Sequence, residues 1–177
     1  MESLIAQALA GDRQAFSVIV RQLMTRVVAL TYRITGDKET ALDLAQETFV
    51  SAWENLRTYR GDAGFVNWVF RIATNKSLNH LRSASTRGTL DESNLDDIAS
   101  PDLDPERRMI RHELAERVRE FMIGLPPQQR AIFELRFYKG MPFEEIAAAL
   151  ERAVGTVKTG YREAVRKLRT CALERGW

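Results

Sequence analysis

The apolar positions of this chain recur at three- and four-residue intervals, the spacing of helices that bury one face in a core. Leu4, Ile5, Ala8 and Leu9 share one side of a short helix over residues 1–10, which Gly11 and Asp12 end. Phe16, Ile19, Val20, Leu23, Val27, Leu30 and Ile34 form the stripe of a longer helix over residues 13–35, leaving Arg21, Arg26 and Arg33 outward as solvated charges. Gly36 stops that helix, and Asp37 can cap the next by accepting from its free backbone N–H groups. In this third helix Leu42, Ala45, Phe49, Ala52, Trp53 and Leu56 point inward, with Asp43, Glu47, Val50, Ser51 and Glu54 opposite. After the break Tyr59-Arg60-Gly61-Asp62, a fourth helix turns Phe65, Trp68, Val69 and Ile72 inward. Asn67, Arg71, Thr74, Asn75 and Arg82 make its polar stripe. One helix is acidic outside and the next basic and amide-rich. That contrast suits a protein partner beside a polyanion, or two ordinary solvated faces.

The periodicity vanishes over residues 83–105, which are polar, acidic and broken by Pro101 and Pro105; this reads as a flexible tether. It returns in residues 106–123 through Met109, Ile110, Leu114, Val118, Phe121 and Met122. Pro126 and Pro127 suit the start of another helix, with Ile132, Phe133 and Leu135 on its core side. Phe143, Ile146, Ala147 and Leu150 then repeat at helical spacing, Glu151-Arg152-Ala153 interrupts, and Val154, Val157, Tyr161, Ala164, Val165 and Leu168 resume. Two helices separated by so short a turn predict a helix-turn-helix. Its second helix presents Thr156, Thr159, Arg162, Glu163, Arg166 and Thr170 opposite the apolar stripe, with Lys158 at the margin. Arginine and threonine in such an array can meet guanine edges or phosphates.

The fold class expected is therefore all-α: two small helical domains, residues 1–84 and 106–177, joined by a flexible acidic linker over residues 85–105. Composition narrows the chemistry. No apolar run approaches the ~20 residues that span a bilayer, and the N-terminus lacks a basic, cleavable signal, so we expect a cytoplasmic protein. One cysteine, Cys171, and two histidines, His80 and His112, leave little from which to build a zinc site or disulfide. There is no glycine-rich phosphate loop and no histidine beside a nucleophile, so we expect no enzyme, cofactor or metal. Net charge is near neutral, yet residues 83–106 hold seven carboxylates against one arginine, and residues 158–175 six basic residues against two acidic. Any nucleic-acid binding must come from that distribution.

The stretch DLAQETFVSAWENLRTYRGDAGFVNWVFRIATNKSLNHLR, residues 43–82, resembles region 2 of a bacterial sigma-70 family sigma factor of the extracytoplasmic-function (ECF) type. VGTVKT, residues 154–159, resembles the VGTVKS signature of sigma region 4. The resemblance implies an ECF-type sigma factor that binds core RNA polymerase, reads the −10 and −35 promoter elements and promotes DNA melting. On that reading Asp43, Leu44, Gln46, Glu47 and Phe49 would bind the beta and beta-prime subunits, Leu44 being on the outward side. Tyr59, Arg60, Gly61, Asp62, Ala63 and Gly64 would shape a pocket for a flipped −10 base, and Asn67, Arg71, Asn75 and Lys76 would contact phosphates and base edges. Phe65 and Trp68 would be core. Thr156, Lys158, Thr159, Arg162 and Arg166 would read the −35 element. An anti-sigma factor is the partner expected to hold such a protein inactive, and the tether would thread the polymerase's RNA exit path. An autonomous helix-turn-helix regulator with an N-terminal sensing module is the competing reading.

This chain departs from the family pattern at Glu151, where the turn commonly has glycine or aspartate, and at Gly160 and Glu163, each replacing a usual arginine. We expect a costly positive φ at Glu151, a lost phosphate contact at Gly160, and at Glu163 either repulsion of phosphate or acceptance from cytosine. Binding to the −35 element should be weaker or differently specified.

Overall fold

The computed structural model describes residues 1–61, 64–87, 117–118 and 120–175. Regular structure among them is entirely helical. The first half has α1 (Glu2–Leu9), α2 (Arg13–Thr35), α3 (Lys38–Glu54), a 3-10 turn (Leu56–Thr58) and α4 (Phe65–Arg87). After helical residues 120–124 the second half has α5 (Pro127–Phe133), widening into a π-helical turn (Glu134–Tyr138), then α6 (Phe143–Leu150) and α7 (Val154–Arg175). Of the helix expected over residues 106–123, residues 106–116 and 119 lie outside the described residues, as does most of the tether; residues 85–87, expected in the tether, continue α4.

Local signals set the helix ends, with Gly36 and Asp37 acting as expected and Asp12 adding a cap. Asp12 caps α2, accepting from the N–H groups of Gln14 at 2.8 Å and Ala15 at 3.2 Å, and Asp37 caps α3 by accepting from Thr40 N–H at 2.7 Å. Gly36 closes α2 at φ 82°, a conformation that glycine adopts without a Cβ clash. The apolar stripe of α2 is buried or half-buried along its length, and Thr31 Oγ1 donates to the Ala41 carbonyl at 2.9 Å, fixing α3 against it.

Two stripes needed correction. In α3 the buried line is Ala41, Leu44, Ala45, Thr48, Phe49 and Ala52, so Leu44 faces the core at 6% exposure while Leu42 stands out at 41%. Both leucines flank the alanine line, and periodicity alone does not choose between flanks; packing of α3 against α2 and α4 does. In α4 the buried face also takes in Phe70, Ala73, Thr74, Ser77 and Leu78, leaving Trp68 and Ile72 half-buried. Thr74, expected outside, is fully buried. Leu9, expected inward on α1, is 40% exposed.

The halves share one apolar core. Ala131, Ile132, Leu135, Met141, Ile146, Ala147 and Val157 join the cluster that contains Phe16, Leu23, Val69 and Phe70. A satellite of Phe121, Met122, Leu125, Phe133 and Ala164 holds α5 against α7. Polar links cross the same boundary. Arg130, 6% exposed, donates to the carbonyls of Ile34 (2.6 Å), Ile123 (2.5 Å) and Leu125 (3.1 Å). Burial pulls its pKa down to about 10, so it stays charged at neutral pH, placing a cation at the negative end of α2. Arg33, expected to be solvated, instead donates from Nε to Glu134 Oε2 at 2.8 Å.

Candidate nucleic-acid and protein interfaces

An open cleft of about 590 Å³ lies between the end of α3, the 3-10 turn and the N-terminal half of α4 as far as Asn79. Tyr59, Phe65 and Trp68 form one aromatic cluster at its base: Tyr59 meets Phe65 edge-on at 5.2 Å and Trp68 at 5.5 Å between centroids. Phe65 is core, as expected, but Trp68 is half-buried and lines the cleft. Around this base stand Arg60, Arg71, Asn75, Lys76 and Asn79, with Ser51, Asn55 and Thr58 on the α3 side. The combination offers a ring face for a base, amides for its edges and cations for phosphate.

The structure brings Tyr59, Arg60, Gly61, Arg71, Asn75 and Lys76 together at this cleft, while Asp62 and Ala63 lie outside the described residues. Asn67 is turned elsewhere: its Nδ2 donates to Glu145 Oε2 of α6 at 2.7 Å. Asn79 was missed, although it follows Asn75 by one helical turn, as were Ser51, Asn55 and Thr58, whose polarity alone does not distinguish them from solvated residues. Gly64 is exposed, and a Cβ there would meet nothing within 4 Å.

On α3, Asp43, Gln46 and Glu47 are exposed beside Leu42 and Val50, which is 58% exposed. This is an acidic surface with two apolar points. Leu44 and Phe49, expected among the contact residues, are absent from it because both are buried in the core. Lys76 Nζ lies 3.2 Å from Glu47, so the acidic face and the cleft's basic rim adjoin.

The helix-turn-helix falls where expected, with residues 151–153 as the turn. Glu151 takes φ 53° and ψ 49°, the left-handed conformation that its side chain disfavours. On α7, Thr156, Thr159, Arg162 and Arg166 are exposed in one array. Lys158 is half-buried, 3.5 Å from Glu144. Glu163 does not belong to that array. Its Oε2 accepts from Gln129 Nε2 at 2.6 Å, while Gln129 Oε1 accepts from Lys167 Nζ at 3.0 Å, so the carboxylate clamps α7 to α5. Gly160 also has a structural reason: a Cβ there would stand 3.0 Å from Ile132 Cδ1.

Among the described residues no helix is long and apolar enough to cross a membrane, and no group of three or more His, Cys, Asp or Glu side chains is placed to hold a metal. Residues 19–87 match the family Sigma-70 region 2 and residues 115–168 match Sigma-70, region 4. RNA polymerase sigma-H factor of Pseudomonas aeruginosa is 32% identical over 94% of this chain and 92% of its own length. ECF RNA polymerase sigma factor SigW of Bacillus subtilis is 31% identical over 92% of this chain and 93% of its own. Among solved structures, CnrH in complex with the cytosolic domain of CnrY superposes with a TM-score of 0.67 at 27% identity, covering 94% of this chain and 93% of that one. Sigma factor RpoE of Bartonella quintana, in complex with the anti-sigma factor NepR, gives 0.70 at 20% identity over 88% and 95%, a likeness of fold. With its all-helical fold, its two matching regions and these relatives, the chain belongs to the sigma-70 family as an ECF RNA polymerase sigma factor, a non-enzymatic protein that directs promoter-specific transcription initiation.

Proposed function

We propose that this sigma factor docks on core RNA polymerase through the outward face of α3, holds the −10 element as single-stranded DNA in the cleft beside α4, and reads the −35 element with α7. The observation that carries the reading is the cleft's composition, an aromatic base with Arg60, Arg71, Asn75 and Lys76 around it. Unstacking a base costs a few kcal/mol, and stacking on an aromatic ring returns roughly 1–3 kcal/mol per base, so capture of the opened strand can drive melting without bond chemistry. Asp43, Gln46 and Glu47, flanked by Leu42 and Val50, supply the polymerase contact. The exposed Arg162 and Arg166 supply base or phosphate contacts from the major groove, with Thr156 and Thr159 beside them and Lys158 toward the backbone. The residues are grouped as domains 1–84 and 106–177 joined by a tether, acting in the cytoplasm and held inactive by an anti-sigma factor, as the RpoE–NepR complex suggests for a relative.

The test is transcription from a genomic DNA pool by bare core enzyme plus this protein. Specific initiation is expected. Arg71→Ala with Asn75→Ala should abolish opening while leaving polymerase association intact; Arg162→Ala with Arg166→Ala should weaken −35 dependence; Asp43→Lys with Glu47→Lys should weaken polymerase association. Promoter-specific control obtained only through another sigma subunit refutes the reading.

A further inference from the structure

We propose that Glu163 is a positioning residue for promoter recognition: with Gln129 it fixes the roll of α7 on α5, and so the aim of Arg162 and Arg166. The proposal rests on the assignment of α7 to the −35 element. The flank of α7 that meets α5 holds Gly160, Glu163 and Lys167, spaced i, i+3 and i+7 along one side of the helix. It faces Gln129 and Ile132 of α5, themselves one turn apart. Gly160 lets α7 come so near that a Cβ would stand 3.0 Å from Ile132 Cδ1. One turn on, Glu163 Oε2 accepts from Gln129 Nε2 at 2.6 Å, and one turn further Lys167 Nζ donates to Gln129 Oε1 at 3.0 Å. This bridge has a single arrangement. The amide has a donor end and an acceptor end, and reversing it would set oxygen against carboxylate and NH2 against ammonium. A glutamate and a lysine four residues apart on a helix surface are placed to pair with each other. Here both bond the same α5 side chain, and α7 is held against rotation.

Rotation is what the reading residues feel. Val157 and Ala164, both at 0% exposure, set the depth of α7 in its apolar seat, but apolar contact is non-directional and holds a helix's roll less well than hydrogen bonds do. Arg162 directly precedes Glu163 in the chain and Arg166 follows it by three residues, both exposed. At a side-chain radius of about 5–6 Å, a roll of about 20° carries a side-chain tip about 2 Å sideways. A hydrogen bond to a base edge tolerates donor–acceptor distances of only about 2.7–3.2 Å, so that displacement breaks base contacts. Attraction to phosphate falls off slowly with distance and survives it. The bridge therefore governs discrimination between −35 sequences more than affinity for DNA as such.

The test uses holoenzyme assembled from core RNA polymerase and the full chain. It is given a labelled promoter duplex obtained in the transcription selection, or the same duplex with a scrambled −35 element. Fluorescence anisotropy yields the ratio of the two affinities, in which any uniform change in attraction to phosphate cancels. Glu163→Ala and Gln129→Ala should each lower that ratio about three- to tenfold, with helicity unchanged and no fall in affinity for the scrambled duplex. Glu163→Gln should keep the wild-type ratio, because its amide oxygen accepts from Gln129 in the same place. A wild-type ratio in either alanine variant overturns the proposal. So does a ratio in Glu163→Gln as low as in Glu163→Ala, or a new base preference in Glu163→Gln, which would put the carboxylate on the DNA itself. If Glu163→Ala loses helicity, Gln129→Ala and Glu163→Gln decide between them. Arg162→Ala with Arg166→Ala separates the proposal from the reading beneath it. An undiminished ratio there refutes the assignment of α7 to the −35 element, whereas a lowered ratio there beside an unaltered Glu163→Ala refutes only the positioning role.

Discussion

Gly160 offers a sharp test of how α7 is seated. Alanine is worth about 1 kcal/mol over glycine in an exposed helix interior, so Gly160→Ala at an open site would stabilise by that amount. Here the new Cβ would stand 3.0 Å from Ile132 Cδ1, and Ile132 is 5% exposed in the core beneath α7. Overpacking of this kind costs roughly 1–3 kcal/mol, because a buried methyl has few places to go. The two effects sum to a variant between neutral and about 2 kcal/mol less stable than wild type. Ile132→Val removes the offending methyl at a cost of about 0.5–1.5 kcal/mol. In that background the alanine methyl enters vacated space and the full helix-propensity gain returns. Thermal unfolding of the four proteins, followed by circular dichroism, should therefore give a coupling of roughly 1–3 kcal/mol between the sites. Additive changes, or a stabilised Gly160→Ala single variant, would refute the close approach. An arginine at 160 would meet the same contact, its Cβ standing 3.0 Å from Ile132 Cδ1.

Three further outcomes are expected. Glu151→Gly should stabilise the protein by about 0.5–1 kcal/mol, because relief of the left-handed strain at φ 53° exceeds glycine's entropic cost; an unfolding midpoint that falls would count against it. Arg130→Met should destabilise by roughly 3 kcal/mol or more, read by denaturant unfolding, because the carbonyls of Ile34, Ile123 and Leu125 all lose a charged donor; a loss under 1 kcal/mol would contradict the geometry. Burial raises the Glu134 carboxyl above its usual range, with Arg33 and Lys139 pulling it partly back. A raised value means stability fully present below the ordinary carboxylate range and lost as pH rises through the raised value. Wild type should therefore lose melting temperature relative to Glu134→Gln as pH climbs above the ordinary carboxylate range, and a constant difference would refute the sign.

The sequence by itself determined the helices, their caps, the two matching regions and the helix-turn-helix, because each depends on residues within a few turns. Asp12, Gly36 and Asp37 act on their own neighbours, and the interruption at residues 151–153 is visible as a break in period. Tertiary structure decided which flank of a stripe is buried. Leu42 and Leu44 are equivalent to a helical wheel, and only tertiary packing made Leu44 core and Leu42 surface. It also decided the fate of the polar side chains. Arg33, Asn67 and Glu163 have nothing in sequence to separate them from solvated residues. Their partners Glu134, Glu145 and Gln129 lie 101, 78 and 34 positions away, a pairing that only the packed chain can bring about. The residue types of the proposed DNA-reading faces were legible because their chemistry is local to one helix surface. Which of them are open and which already occupied depends on how the two halves meet.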